Sequence, residues 1–255
     1  MKSLCRYLLP LLFVCTDIAL VQAQPNDASI ELRSKDVQLV IRAQTPGEAY
    51  SYLIRTLQDM EFFRANGYNV ALPEHPAFTP DKPPFGSQAI FEEEVYEIGD
   101  FAEAIQALKV DIKILNEALE WFATTARKNS DLQGFNRYEV QLTLYGPGGS
   151  YDPEAGVITL FTTTSGKFKG GGGAHTIIHE MMHLATEPLV QKFGLEHWEK
   201  ERLVDVLVQR ELGEFLPGYA LQPLGEAALD PYIKAVPIEE IASALRRYAQ
   251  AKANG

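Results

Sequence analysis

The chain has 255 residues, 46% hydrophobic and 22% charged, with a formal net charge of −11. This is globular composition, with apolar residues enough for a full core in one large domain or two small ones. So acidic a surface repels phosphate backbones, which argues against nucleic acid as a partner.

Residues 1–23 have the outline of a secretory signal. Lys2 and Arg6 precede an apolar run, and Val21 and Ala23 are small residues suited to a cleavage site. Pro10 and Asp17 interrupt the run and leave it too short to cross a bilayer. The expectation is export, periplasmic or secreted, with no stable membrane span once the segment is removed. Cys5 and Cys15 both lie within it, so the remaining chain carries no thiol.

Residues 24–98 read as an N-terminal region of strands, one helix and a proline-rich connection. Alternation and β-branched residues over 29–44 predict one or two strands. Thr45 and Pro46 then open a helix, with Tyr50, Leu53, Ile54, Leu57 and Phe62 at helical spacing until Asn66-Gly67. Five prolines between 72 and 86 exclude regular structure there. His75 in that stretch and the acids Glu92 to Glu94 read as solvated.

Residues 99–255 form the second region, separate from the first or continuous with it. One long helix is expected over 99–128, capped near Asp100, with Phe101, Ile105, Leu108, Ile112, Leu115, Leu119 and Phe122 on its buried stripe. The β-rich runs 138–146 and 156–166, joined by GPGGSYDPEAG, predict a hairpin with a loose connection. KGGGG at 169–173 lacks the ending of a phosphate loop. Its expected use is steric, since glycines let a substrate backbone approach closely. Pro188 is expected to end or kink the helix that follows, and Pro237 onward reads as a closing amphipathic helix.

HTIIHEMMHL at 175–184 places three histidines at four-residue intervals. On a helix His175 and His183 are about 12 Å apart along the axis, too far for bonds of about 2 Å to one ion. Only one adjacent pair can bind. His179 and His183 have an acid, Glu180, after the first histidine, whereas Thr176 follows His175. The sequence therefore reads as HExxH, with Glu180 as a base beside a metal. His175 is left to line a cleft or cap the helix.

A catalytic zinc takes three protein ligands and keeps the fourth position open. Thr186 and Leu189 stand where a metzincin would have Gly and His, which excludes that branch. In the next predicted helix, 195–212, Glu201 and Asp205 fall within the apolar stripe of Trp198, Val204, Val208 and Leu212. Acids there are expensive unless partnered. Glu201 reads as the third ligand, and Asp205, one turn on, as the group that orients a ligand histidine through its other ring nitrogen. Two alternatives stand beside this: salt bridges of the two acids with Arg202 or Arg210, and His197 as ligand in place of Glu201.

The order of backing helix, hairpin, HEMMH helix and a helix carrying Glu201-Arg202-Leu203-Val204-Asp205 resembles the gluzincin branch of zinc metallopeptidases, over residues 99–212. The asparagine that often precedes the glutamate is Lys200 here. The resemblance implies an α+β, zincin-like fold: a small, mainly antiparallel sheet, a long backing helix, an HExxH helix and a Glu-bearing helix. It implies one Zn2+ on His179, His183 and Glu201, a peptide or protein substrate along the edge strand 156–164, and peptide hydrolysis in which Glu180 deprotonates zinc-bound water. A further donor for the oxyanion is needed; among Tyr219, Tyr232, His197 and His175, Tyr219 is preferred. The alternatives are a catalytically silent scaffold that binds peptides or a partner protein, and a zinc hydrolase of a non-peptide amide or ester.

Overall fold

The computed structural model describes residues 29–80, 86–169 and 172–254. The signal-like segment 1–23, with Cys5 and Cys15, and Pro83 and Pro84 of the proline-rich stretch lie outside the described residues. Among the described residues no helix is long and apolar enough to cross a membrane.

The fold is α+β, built on one five-stranded sheet. Strands β1 (Ser29–Ser34), β2 (Val37–Ala43), β3 (Arg137–Thr143), β4 (Gly149–Asp152) and β5 (Val157–Phe161) lie in the order β1-β2-β3-β5-β4. The sheet is mixed, not mainly antiparallel: β1 with β2 and β4 with β5 are antiparallel, while β2 with β3 and β3 with β5 are parallel. The expected hairpin between 138–146 and 156–166 is therefore replaced. The chain leaves β3, turns back through β4 at the sheet's rim, and enters β5 between the two. An edge strand of four residues tolerates glycine and aspartate because only one side is paired. The edge beside the cleft is accordingly β4 and not residues 156–164.

Alternation along the strands sorts the sheet's two faces. Leu39, Ile41, Tyr138, Val140, Leu142, Ile158 and Leu160 point into the main core. Arg42, Glu139 and Gln141 point the other way, towards Glu48 of helix α1 (Pro46–Gln58), and Arg42 binds both Glu48 and Glu139. Helix α1 starts as expected: the Thr45 hydroxyl accepts from the Glu48 amide at 3.3 Å, and Glu48 accepts from the Thr45 amide at 2.7 Å. It stops at Asp59 and a short helix α2 (Met60–Ala65) completes the predicted span.

The helix expected over 99–128 is broken. A 3-10 turn begins behind Glu97, whose carboxylate accepts from the Gly99 amide, in place of a cap at Asp100. Helices α3 (Ala102–Val110) and α4 (Ile112–Trp121) follow, and a π-helical turn closes the run at Phe122–Ala126. The predicted stripe is nevertheless buried or packed on the core, and the break falls where Val110 is 82% exposed. Helix α5 (Gly173–Phe193) continues past Pro188 and does not end there. A proline inside a helix costs about 3 kcal/mol, and burying Leu189 and Val190 just beyond it, at about 1.5–3 kcal/mol each, offsets that. Helices α6 (His197–Leu212) and α7 (Ile241–Asn254) complete the core, the latter at the predicted place.

Candidate metal centre

Gly194, left-handed at φ 60°, ends α5 and lets the chain reverse within three residues into α6. The reversal lays the two helices side by side. His179, Glu180 and His183 on one then face Glu201 and Asp205 on the other.

Nε2 of His179 and Nε2 of His183 are 3.0 Å apart, and Oε2 of Glu201 is 3.3 Å from the first and 3.4 Å from the second. Four-coordinate bonds of about 2.0–2.1 Å put neighbouring ligand atoms about 3.3 Å apart. Three lone-pair donors thus converge at the spacing a small divalent ion requires, and the cluster lies close enough to hold one. His183 is 2% and Glu201 7% exposed. Burial pushes His183 down to about 4, so its ring is neutral and keeps a lone pair. Burial also opposes charge on His179, but the Asp205 and Glu201 carboxylates outweigh it and raise that ring to about 10. The acids make positive charge favourable at this point, and a metal ion can supply it in place of the proton.

Hydrogen bonds hold His179 and Glu201 in place. In the tautomer that leaves Nε2 of His179 as a ligand, Nδ1–H donates to the Tyr219 hydroxyl at 2.7 Å, which donates to Oδ1 of Asp205 at 2.8 Å. Asp205 itself is 3.4 Å from Nδ1, so the expected orientation of a ligand histidine by Asp205 runs chiefly through Tyr219. Gln222 clamps both acids: its backbone amide donates to Asp205 at 2.5 Å and its side chain to Oε2 of Glu201 at 2.9 Å. The Tyr151 ring stacks on His183, centroids 5.0 Å apart and 9° from parallel.

Glu180 is 6% exposed and its carboxylate rests on the backbone of Gly149 in β4, where an added Cβ would overlap Oε1. Burial, with Glu201 adding repulsion, pushes its pKa up to about 7. A carboxyl group there can take and return a proton near neutral pH.

The other candidates fall elsewhere. His175 lines the cleft and packs edge-on against Tyr219. His197 stays outside the cluster: Nδ1 is 4.0 Å from Oε1 of Glu201, and Nε2 shares a 2.9 Å hydrogen bond with Tyr68. Tyr232 packs against Tyr248, and the Tyr219 hydroxyl sits at Nδ1 of His179, on the far side of that ring from the ligand atoms. Arg202 pairs with Asp230, and Arg210 with Glu211 and two carbonyls, so neither forms the alternative salt bridges. Of the glycine run, Gly173 is closely packed, since a Cβ there would meet Leu108 and Phe168, whereas Gly172 has open space around it; Gly170 and Gly171 lie outside the described residues. Tyr151, Gly149 and Gln222 carried no signal in the sequence, because a stacked ring, a missing Cβ and a returning loop are set by packing between distant segments.

No family model, no curated protein and no solved structure matches this chain.

Proposed function

We propose that the chain is an exported zinc-dependent peptidase of gluzincin type, with His179, His183 and Glu201 as the ligands of one ion. The observation that carries this reading is the set of three ligand atoms 3.0–3.4 Å apart, two from α5 and one from α6. When bound, zinc supplies Lewis acidity, which acidifies water and polarises a carbonyl.

The protein's own side chains supply the rest. Glu180 holds the proton taken from water and returns it to the leaving amine, a task suited to a carboxyl group near neutral pKa. Tyr219, Asp205 and Gln222 keep His179 and Glu201 aimed at the ion. The cleft, about 640 Å3, is bounded by Tyr68, Tyr151 and β4, an edge strand of the kind that can pair with an extended peptide.

The test is to load the purified chain with zinc, measure metal per chain, and compare wild type with Glu180→Gln on a mixed peptide library. Metal retained by both with cleavage lost only in the variant is the expected result. Metal retained with no cleavage by either would favour the silent scaffold or a non-peptide substrate.

A further inference from the structure

Two lysines line the cleft, Lys169 and Lys200. The ammonium of Lys169 is spent on structure. It donates to the carbonyls of Asn69 at 2.7 Å and Pro147 at 2.8 Å, tying the approach to β4 to the N-terminal region.

Lys200 is not used in this way. Among the described residues its Nζ makes one hydrogen bond, a long one of 3.4 Å to the Tyr151 hydroxyl, which itself donates to Glu187 at 2.8 Å. Nζ also lies 5.3 Å from the centre of the Tyr151 ring, within cation–π range, and 3.9 Å from Oε1 of Glu201. An ordinary helix-surface lysine pairs with an acid one turn away. The acid four residues earlier, Glu196, is held by Lys252 at 2.8 Å, and the residue four later is Val204. An ammonium has three donors, and two of these remain for a group in the cleft. The side chain is 22% exposed, so a ligand can reach it. Tyr151 fixes where the charge sits, because the same ring stacks on His183.

We propose that Lys200 is an anion receptor beside the metal cluster and that the group it takes is a carboxylate of a bound peptide. This rests on the metal-centre reading: an ion on Glu201 draws that carboxylate's charge and loosens its hold on Lys200. A carboxylate accepts charge-assisted hydrogen bonds from the ammonium. Multiply charged anions are disfavoured, because Glu180, Glu187 and Asp205 line the same cleft. A peptide's C-terminus and an acidic side chain offer the same chemistry, and the experiment separates them.

Zinc-loaded full-length chain, its metal content measured first, is titrated calorimetrically with N-acetylalanine, N-acetylalaninamide and N-acetylglutamic acid α-amide. The expected result is that at least one of the two acids binds roughly tenfold or more tighter than the neutral amide. Preference for the first acid identifies a C-terminus, and for the second an acidic side chain. Lys200→Met loses the preference with zinc content unchanged, and Lys200→Arg keeps it. A preference that survives in Lys200→Met means that the ion alone holds the carboxylate, and overturns the proposal. Equal binding of acids and amide overturns it too. A chain that takes up no zinc sinks the metal-centre reading and this inference together; zinc uptake without preference sinks this inference alone.

Discussion

The contact between Gly149 and Glu180 allows catalysis to be separated from stability with one methyl group. In Gly149→Ala the new Cβ would overlap Oε1 of Glu180 and stand 2.8 Å from its carboxyl carbon. Carbon atoms in contact settle at about 3.5–4.0 Å, so the carboxyl group must retreat by roughly 1 Å. The atoms that move are the far end of a flexible side chain, and the φ of Gly149 is not in the left-handed region. The stability cost is therefore small, within about 1 kcal/mol. The proposed base, however, leaves its place, and a misplacement of about 1 Å can cost about a hundredfold in rate. The assay is kcat on a peptide cleaved by the wild type, with zinc per chain and the urea midpoint measured on the same preparations. The expected outcome is a loss of about a hundredfold in kcat with zinc and midpoint retained. Unchanged kcat would refute the reasoning that Glu180 acts from its position against β4.

Tyr219→Phe removes the link between His179 and Asp205 and should weaken zinc binding about 10–100-fold in a chelator competition, with the fold unchanged. Pro188→Ala should raise the urea midpoint: residue 188 is exposed, and the new N–H can reach the Leu184 carbonyl and recover part of the roughly 3 kcal/mol a helical proline costs. A lower midpoint would show that the proline is needed for the helix's path. The Arg42 guanidinium holds Glu48 at about 2, below its ordinary 4.5. A carboxylate depressed on folding stabilises above its unfolded pKa, and that contribution is lost as pH falls through the folded one. Wild type should lose urea resistance between about pH 4.5 and about pH 2, and Glu48→Gln should be weaker at neutral pH with a flatter profile across that window. The effect is modest, since the pair is partly exposed.

Elements written in local periodicity are legible in the sequence. The Thr45 cap, the buried stripe from Phe101 to Phe122 and the closing helix each follow from residues a few positions apart. His179, Glu180 and His183 were legible for the same reason, because one helix sets their spacing. Glu201 and Asp205 came from a different signal, two acids on an apolar stripe. Their place beside the histidines depends on Gly194 turning α6 back onto α5. What the sequence hid is decided between segments. Parallel pairing of β3 with β5 competes with the simpler hairpin, and nothing in either strand's pattern distinguishes the two. β4 is four residues of weak β formers whose place is fixed by its neighbour. The break after Val110 and the continuity through Pro188 reflect which side chains the core accepts, against local preference in the second case.

The central claim is that three side chains from α5 and α6 bind one zinc ion. Zinc X-ray absorption combined with metal stoichiometry tests it most directly. The account predicts one zinc per chain, nitrogen and oxygen neighbours at about 2.0–2.2 Å with two imidazoles, and a changed coordination shell with weaker binding in Glu201→Ala. Failure to take up zinc, or a wild-type spectrum reproduced unchanged in Glu201→Ala, would contradict it.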